Sequence, residues 1–296
     1  MLTVILIAGC TGNNSEGNTI ADPVEEHTFV SSFDYVPEPP ENGALFGIIE
    51  LGYSGFNSFI VQMDEKNRWS LEKAVYDESL VAKGRITLEY VLSKIDSFKK
   101  EMIDFGVSEN HINLVASSSA IQDQKVQEIA RELRSMNIGL ITVDPIQEGN
   151  YALMATIPPE LRRNAYMIDI GSGNTKISWM DGKDIVSIET YGSLYYQENI
   201  SDSTAQLAFK EALSKVPENN RNICFMVGKI PFLLATSTNN RSGRYTILEH
   251  PDTYEVNNYQ EQSGFNIYRS IWEEKTFSYV FDWDSNFSIG VLISVN

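Results

Sequence analysis

Apolar and polar positions change period several times along the chain. From Ala44 to Asn67, "ALFGIIELGYSGFNSFIVQMDEKN", two apolar runs flank a Gly/Ser loop, and Asp-Glu-Lys-Asn makes the turn that follows. This pattern predicts two strands joined as a hairpin. "TLEYVLSKIDSFKKEMIDFG" then sets Leu88, Val91, Leu92, Ile95, Phe98, Met102 and Phe105 at helical spacing, with Gly106 as the stop. "INLVAS" reads as a short buried strand and "QDQKVQEIARELRSMN" as an amphipathic helix through Val126, Ile129, Ala130, Leu133 and Met136. "IGLITVDP" reads as a strand and "IQEGNYALMATI" as a helix. Further strands are expected at "DIVSIETYG", "NICFMVG" and the terminal "FSIGVLISV", with a helix near "TAQLAFKEALSKV". The aromatic tail "IYRSIWEEKTFSYVFDWDSNF" alternates as core and edge strands do. Strand and helix in alternation imply an α/β protein.

The opening hairpin recurs. "GIIELGYSGFNSFIVQ" and "YMIDIGSGNTKISWMD" both read apolar strand, acid, aliphatic residue, Gly, small polar loop, apolar strand. Glu50 corresponds to Asp169 and Gly52 to Gly171, each pair 119 residues apart. A solenoid would repeat every 20–50 residues or so, whereas one repeat at domain spacing predicts two similar domains facing each other. The expected division is residues 43–163 and residues 164–296, preceded by a disordered tether over 11–42 that ends in "VPEPPENG".

Composition narrows the partners. The 296 residues are 42% hydrophobic, enough to bury a core, and carry a formal net charge of −17. That balance argues against nucleic acid or an anionic membrane surface as the main partner, because neither meets a basic stripe. Two cysteines, Cys10 and Cys224, allow no disulfide framework and no thiolate metal site. Cys224, in "ICFMV", reads as a small core residue. Residues 1–10 end an apolar run in Ile7-Ala8-Gly9-Cys10, resembling a lipoprotein signal with Cys10 as the lipidated residue, although no Lys or Arg precedes the run. The expected location is therefore the bacterial cell envelope, on its periplasmic or extracellular face, with the membrane reached through an N-terminal lipid.

The two loops carry the candidate chemistry. A Gly/Ser/Thr loop between strands presents consecutive backbone N–H groups that wrap an anion. Gly52, Ser54, Asn57 and Ser58 in the first copy, and Gly171, Ser172, Gly173, Asn174, Thr175 and Lys176 in the second, are the candidate phosphate-binding residues. A bare acid at the end of the first strand would repel phosphate, so Glu50 and Asp169 suit holding a metal such as Mg2+ or orienting a water. Plainer readings stand beside these: an ordinary hairpin turn, a strand-end cap for Glu50, a solvent-facing strand lysine for Lys176. The spacing is neither Walker nor Rossmann, and His27, His111 and His250 form no metal or catalytic pattern.

At these residues the chain resembles the exopolyphosphatase/guanosine-pentaphosphate phosphatase (Ppx/GppA) family of the actin-like ATPase superfamily. "IELGYSGFNSFIV", "SSSAIQ" from Ser117 to Gln122, "DPIQEG" from Asp144 to Gly149 and "DIGSGNTK" match its motifs in order, over about Ala44 to Trp179. The resemblance implies two actin-like (ribonuclease H-like) domains facing across a cleft, a phosphoanhydride chain such as polyphosphate as ligand, and Mg2+. It also implies a carboxylate that activates the attacking water, here Glu148. The departures are specific. The first-loop Asp is Glu50, the loop carries an extra Tyr53-Ser54-Gly55, the motif Arg is Gln122, the paired glutamates are Gln147-Glu148, and the Glu closing the second loop is Lys176. Two functions follow as expectations: binding with slow hydrolysis of a phosphoanhydride chain, or an inactive phosphate-binding or scaffold lipoprotein on the same fold. Glu148 has the plainer reading of a helix N-terminal acid, and a homodimer is left open.

Overall fold

The computed structural model describes residues 33–296 apart from 239, 240, 242, 257 and 275. Cys10 and its lipobox lie outside the described residues. Among those described, no helix is long and apolar enough to cross a membrane.

The first half builds β1 (Ala44–Leu51), β2 (Gly55–Met63), β3 (Trp69–Glu78), α1 (Leu88–Phe105), β4 (Ile112–Ala116), α2 (Ser118–Ile121), α3 (Gln124–Ser135), β5 (Ile141–Thr142) and α4 (Pro145–Thr156). Its sheet runs β3-β2-β1-β4-β5, with β1, β2 and β3 antiparallel and β4 and β5 parallel to β1. The second half builds β6 (Ala165–Ile170), β7 (Asn174–Asp181), β8 (Asp184–Tyr191), α5 (Asp202–Ser214), β9 (Ile223–Gly228), α6 (Lys229–Ser237), β10 (Tyr245–Ile247), α7 (Tyr259–Trp272), β11 (Ser278–Asp282) and α8 (Phe287–Val295). Its sheet runs β10-β11-β9-β6-β7-β8. Stripped of β10, this is the first order again: an antiparallel meander on one side of a central strand and parallel strands on the other. The expected pair of actin-like domains is present.

Local chemistry explains the elements that the pattern anticipates. Thr87 caps α1 by accepting from the Tyr90 N–H, and Gly106 ends it at φ 115°, donating to the Met102 and Ile103 carbonyls. The face so fixed buries Val91, Ile95, Phe98 and Met102. Asp123 caps α3, and Asp144 with Gln147 forms a capping box that starts α4.

Three elements differ from expectation. β3 has no apolar signature because it is an edge strand, where charged residues such as Glu72, Lys73 and Asp77 guard against pairing with other chains. The terminal run at Phe287 is a helix, α8, not a strand. It is buried nearly all round, so its sequence is uniformly apolar and carries no period. Much of the aromatic tail belongs to α7, capped by Asn258, with only β11 extended. Of the expected tether, residues 11–32 lie outside the described residues, and residues 33–42 depart from a free chain. The Phe33 ring lies edge-on at 5.5 Å from Phe225 and 5.3 Å from Tyr245. Arg68 holds Glu38 and Glu41 against Asp64. Residues 33–42 therefore dock on the body.

The halves share one core cluster, besides one confined to each half. α4, from the first half, packs on the second sheet, while α8, from the second half, packs on β1, and the two helices cross on each other. The crossing is close: a Cβ on Gly290 would sit 1.9 Å from the Tyr151 carbonyl oxygen. This joint core unites Ile48, Phe59 and Val61 with Met167, Phe225 and Val280 through Leu153 and Ile289.

Candidate functional site between the two hairpins

The two loops have equal length and equivalent register. Glu50 faces Asn57 across the β1–β2 ladder, and Asp169 faces Lys176 across β6–β7. Both glycines are dictated by backbone. A Cβ on Gly52 would lie 2.8 Å from the Gly55 carbonyl oxygen, and one on Gly171 2.5 Å from that of Asn174.

The chain outside the hairpins orients both loops in the same way. After β3, the Ser79 N–H donates to the Ser54 carbonyl and the Ala82 N–H to that of Tyr53, at 3.2 and 2.9 Å. After β8, the Ser193 N–H donates to the Gly171 carbonyl and the Leu194 N–H to that of Ser172, at 2.9 and 3.0 Å. With the carbonyls tied back, the N–H groups of Ser54, Ser172 and Gly173 make no hydrogen bond to other described residues. Only tertiary structure shows these tie segments, since nothing in their sequence marks them.

The loops meet. Ser54 Oγ donates to Ser172 Oγ at 3.0 Å, and Gly173 lies against Ser119 and Tyr53. The expectation that the two hairpins come together is thus met at hydrogen-bonding distance. Asn57 is taken up by its hydrogen bond to Glu50. Ser58 is buried in the β2 ladder opposite Ile49. Thr175 is fully buried, and its Oγ1 makes no hydrogen bond to described residues.

Beneath the second loop is a closed polar network. Lys176, 1% exposed, pairs its ammonium with Glu148 Oε1, and Glu148 is 3% exposed. The Ser118 N–H donates to the other oxygen, Glu148 Oε2, at 2.6 Å. Lys176 Nζ also donates to Asn174 Oδ1 at 2.6 Å, while Asn174 Nδ2 donates to Ser118 Oγ and Glu189 Oε1 at 3.0 and 2.6 Å. Lys176 is therefore not a solvent-facing strand lysine. Glu148, in the first turn of α4, is both a helix N-terminal acid and half of a buried ion pair.

Glu50 occupies the equivalent place under the first loop. It is 6% exposed and meets α8 of the other half, where Ser288 Oγ lies 3.5 Å from Glu50 Oε2. Burial pushes its carboxyl up to about 8, and the charges of Glu148 and Asp169 push the same way, against hydrogen bonds from Asn57 and Asn286. Burial also raises Asp169 to about 6, with Lys176 pulling it down and Glu148 adding to the rise. Ser288 and Asn286 escaped sequence reading because α8 was expected as a strand. Ser118, by contrast, lies in the "SSSAIQ" motif.

These residues do not fit a magnesium ion. The ammonium of Lys176 stands across the ladder from Asp169 and pairs with Glu148, and Glu50 is engaged by Asn57 and Ser288. Among the described residues no group of three or more His, Cys, Asp or Glu side chains is placed to hold a metal.

No family model matches the chain, and no curated protein matches it in sequence. Solved structures do match in fold. The Ppx/GppA enzyme of Aquifex aeolicus is 18% identical at a TM-score of 0.66, over 85% of this chain and 99% of that one. An exopolyphosphatase from Cytophaga hutchinsonii is 14% identical at 0.64, over 85% and 97%. An exopolyphosphatase-like protein is 13% identical at 0.59, over 86% and 98%. The two-domain actin-like fold of this chain is the one found in the Ppx/GppA phosphatases.

Proposed function

We propose that the protein binds a phosphoanhydride chain, polyphosphate or a related oligophosphate, between the two hairpin loops and turns it over far more slowly than an enzyme would. Binding is supported by the fold shared with proteins described as exopolyphosphatases and by the N–H groups left free at Ser54, Ser172 and Gly173. The observation that carries the second half of the reading is the Lys176–Glu148 pair. A general base needs a free lone pair within reach of the attacking water and contributes 10²–10⁴-fold or so. Glu148 is 3% exposed and its oxygens accept from inside the fold, Oε1 from the Lys176 ammonium and Oε2 from the Ser118 N–H, which closes it off from an attacking water. A second reading, a scaffold that binds no phosphate, is favoured by the Ser54–Ser172 contact that closes the loops on each other.

Calorimetry with tripolyphosphate, paired with a phosphate-release assay, separates these. The expected result is a micromolar to millimolar Kd, roughly 4–8 kcal/mol, with release far below the ordinary range of about 1–10³ per second. Absence of heat would establish the scaffold, and enzyme-like release would establish a hydrolase. The envelope location belongs to the same proposal and rests on Ile7-Ala8-Gly9-Cys10 alone. Cys10→Ser should move the protein from the membrane to the soluble fraction, and a variant that stays with the membrane would end the lipid-anchor reading.

A further inference from the structure

We propose that Lys176 stands where a divalent cation would otherwise be needed, so that the cleft takes the free phosphoanhydride chain and not its magnesium complex. This inference rests on the binding reading above and specifies the ionic form of its ligand. Glu148 and Asp169 lie at the foot of the second hairpin, and bare carboxylates there would repel a polyanion. Some cation must offset them, and the chain supplies one. Lys176 faces Asp169 in register, pairs with Glu148 and is 1% exposed. Its position is fixed by Asn174, which is itself held between Ser118 and Glu189. Glu189, on β8, is the remaining acid in this network, and its exposure lets water and salt screen it.

The ammonium is part of the folded chain, present before any ligand arrives. A magnesium ion on Glu148 would have to displace it, because Mg2+ demands oxygen ligands in near-octahedral array, and here the carboxylate is 3% exposed and paired with the ammonium. The position is also set by sequence. Lys176 is the ladder counterpart of Asn57 in the first hairpin, and there a neutral amide meets the acid. Only the second hairpin, which faces the α4 carboxylate, carries the cation.

The test is calorimetry of the chain with tripolyphosphate, once in EDTA and once in millimolar Mg2+. Wild-type protein should bind in EDTA and more weakly in millimolar Mg2+, which converts most of the free chain into its magnesium complex, and should give no heat with Mg2+ alone. Lys176→Gln should lose tenfold or so in EDTA and recover with Mg2+, because the uncovered acids then recruit the ion, while Lys176→Arg should keep metal-free binding. Should Lys176→Gln fail to fold, the wild-type comparison decides by itself. Wild-type binding that appears only with Mg2+ overturns the proposal and leaves the binding reading standing. A Lys176→Gln variant that binds like wild type in EDTA also overturns it. No heat in either buffer overturns both.

Discussion

Lys176 and Glu148 form an exacting contact, because each is nearly inaccessible to water. Removing one partner of such a pair leaves a buried charge, typically a loss of about 3–5 kcal/mol. Lys176→Met should therefore destabilise strongly, and Lys176→Met with Glu148→Gln should recover much of the loss. Denaturant unfolding of both singles and the double measures the coupling, and additive losses would mean the pair is not a unit. Glu50 sets a pH dependence. Its carboxyl is raised in the fold from 4.5 to about 8, so the folded state holds a proton that the unfolded chain releases. Stability is fully present below the unfolded value and falls as pH rises through the interval, by on the order of 4 kcal/mol. Glu50→Gln should flatten the decline in Tm between acid and mildly alkaline pH. Parallel Tm curves for the variant and the wild type would show that Glu50 is not its source.

At the scale of elements, the crossing of α4 and α8 is what brings the two hairpins to one place. Gly290 lies against main chain, the Tyr151 carbonyl, which cannot rotate away. A Cβ on Gly149 would lie 2.7 and 2.8 Å from the Ser178 and Ser187 hydroxyls and 2.9 Å from Ser187 Cβ, contacts with side chains and not with main chain. Gly290→Ala should thus cost about 3 kcal/mol or more and Gly149→Ala distinctly less. Gly139→Ala, with no atom within 4 Å of the added carbon, should stay within about 0.5 kcal/mol of wild type. Thermal melts rank the three, and equal effects at Gly290 and Gly139 would show that the crossing is looser than this geometry.

The whole molecule divides into two topological repeats, each with an apolar cluster of its own and a third cluster shared between them. Apolar residues of both sheets meet in one cluster through α4 and α8, and the docked Phe33 ring covers Phe225 and Tyr245. A shared core makes unfolding cooperative across both halves. Scanning calorimetry of the chain should show one transition, and residues 43–163 alone should show none, because β1 would lose the cover of α8. Two resolved transitions would mean that the halves are stable separately.

The sequence by itself determined the repeat. Glu50-Leu51-Gly52 and Asp169-Ile170-Gly171 announce two equivalent hairpins, since only glycine fits where the turn backbone approaches within 3 Å of itself. It determined the period-3.6 helices α1 and α3, whose one-sided burial writes itself into the pattern. It also marked Glu148, Asp169 and Lys176 singly, as candidate base, metal ligand and phosphate contact. Tertiary structure alone decided what these residues do, because an ion pair between residues on α4 and β7 depends on a distance that no local pattern encodes. The same holds for α8, whose uniform burial erased its period, and for Ser288 beneath Glu50, which the chain reaches only after folding back across the whole molecule.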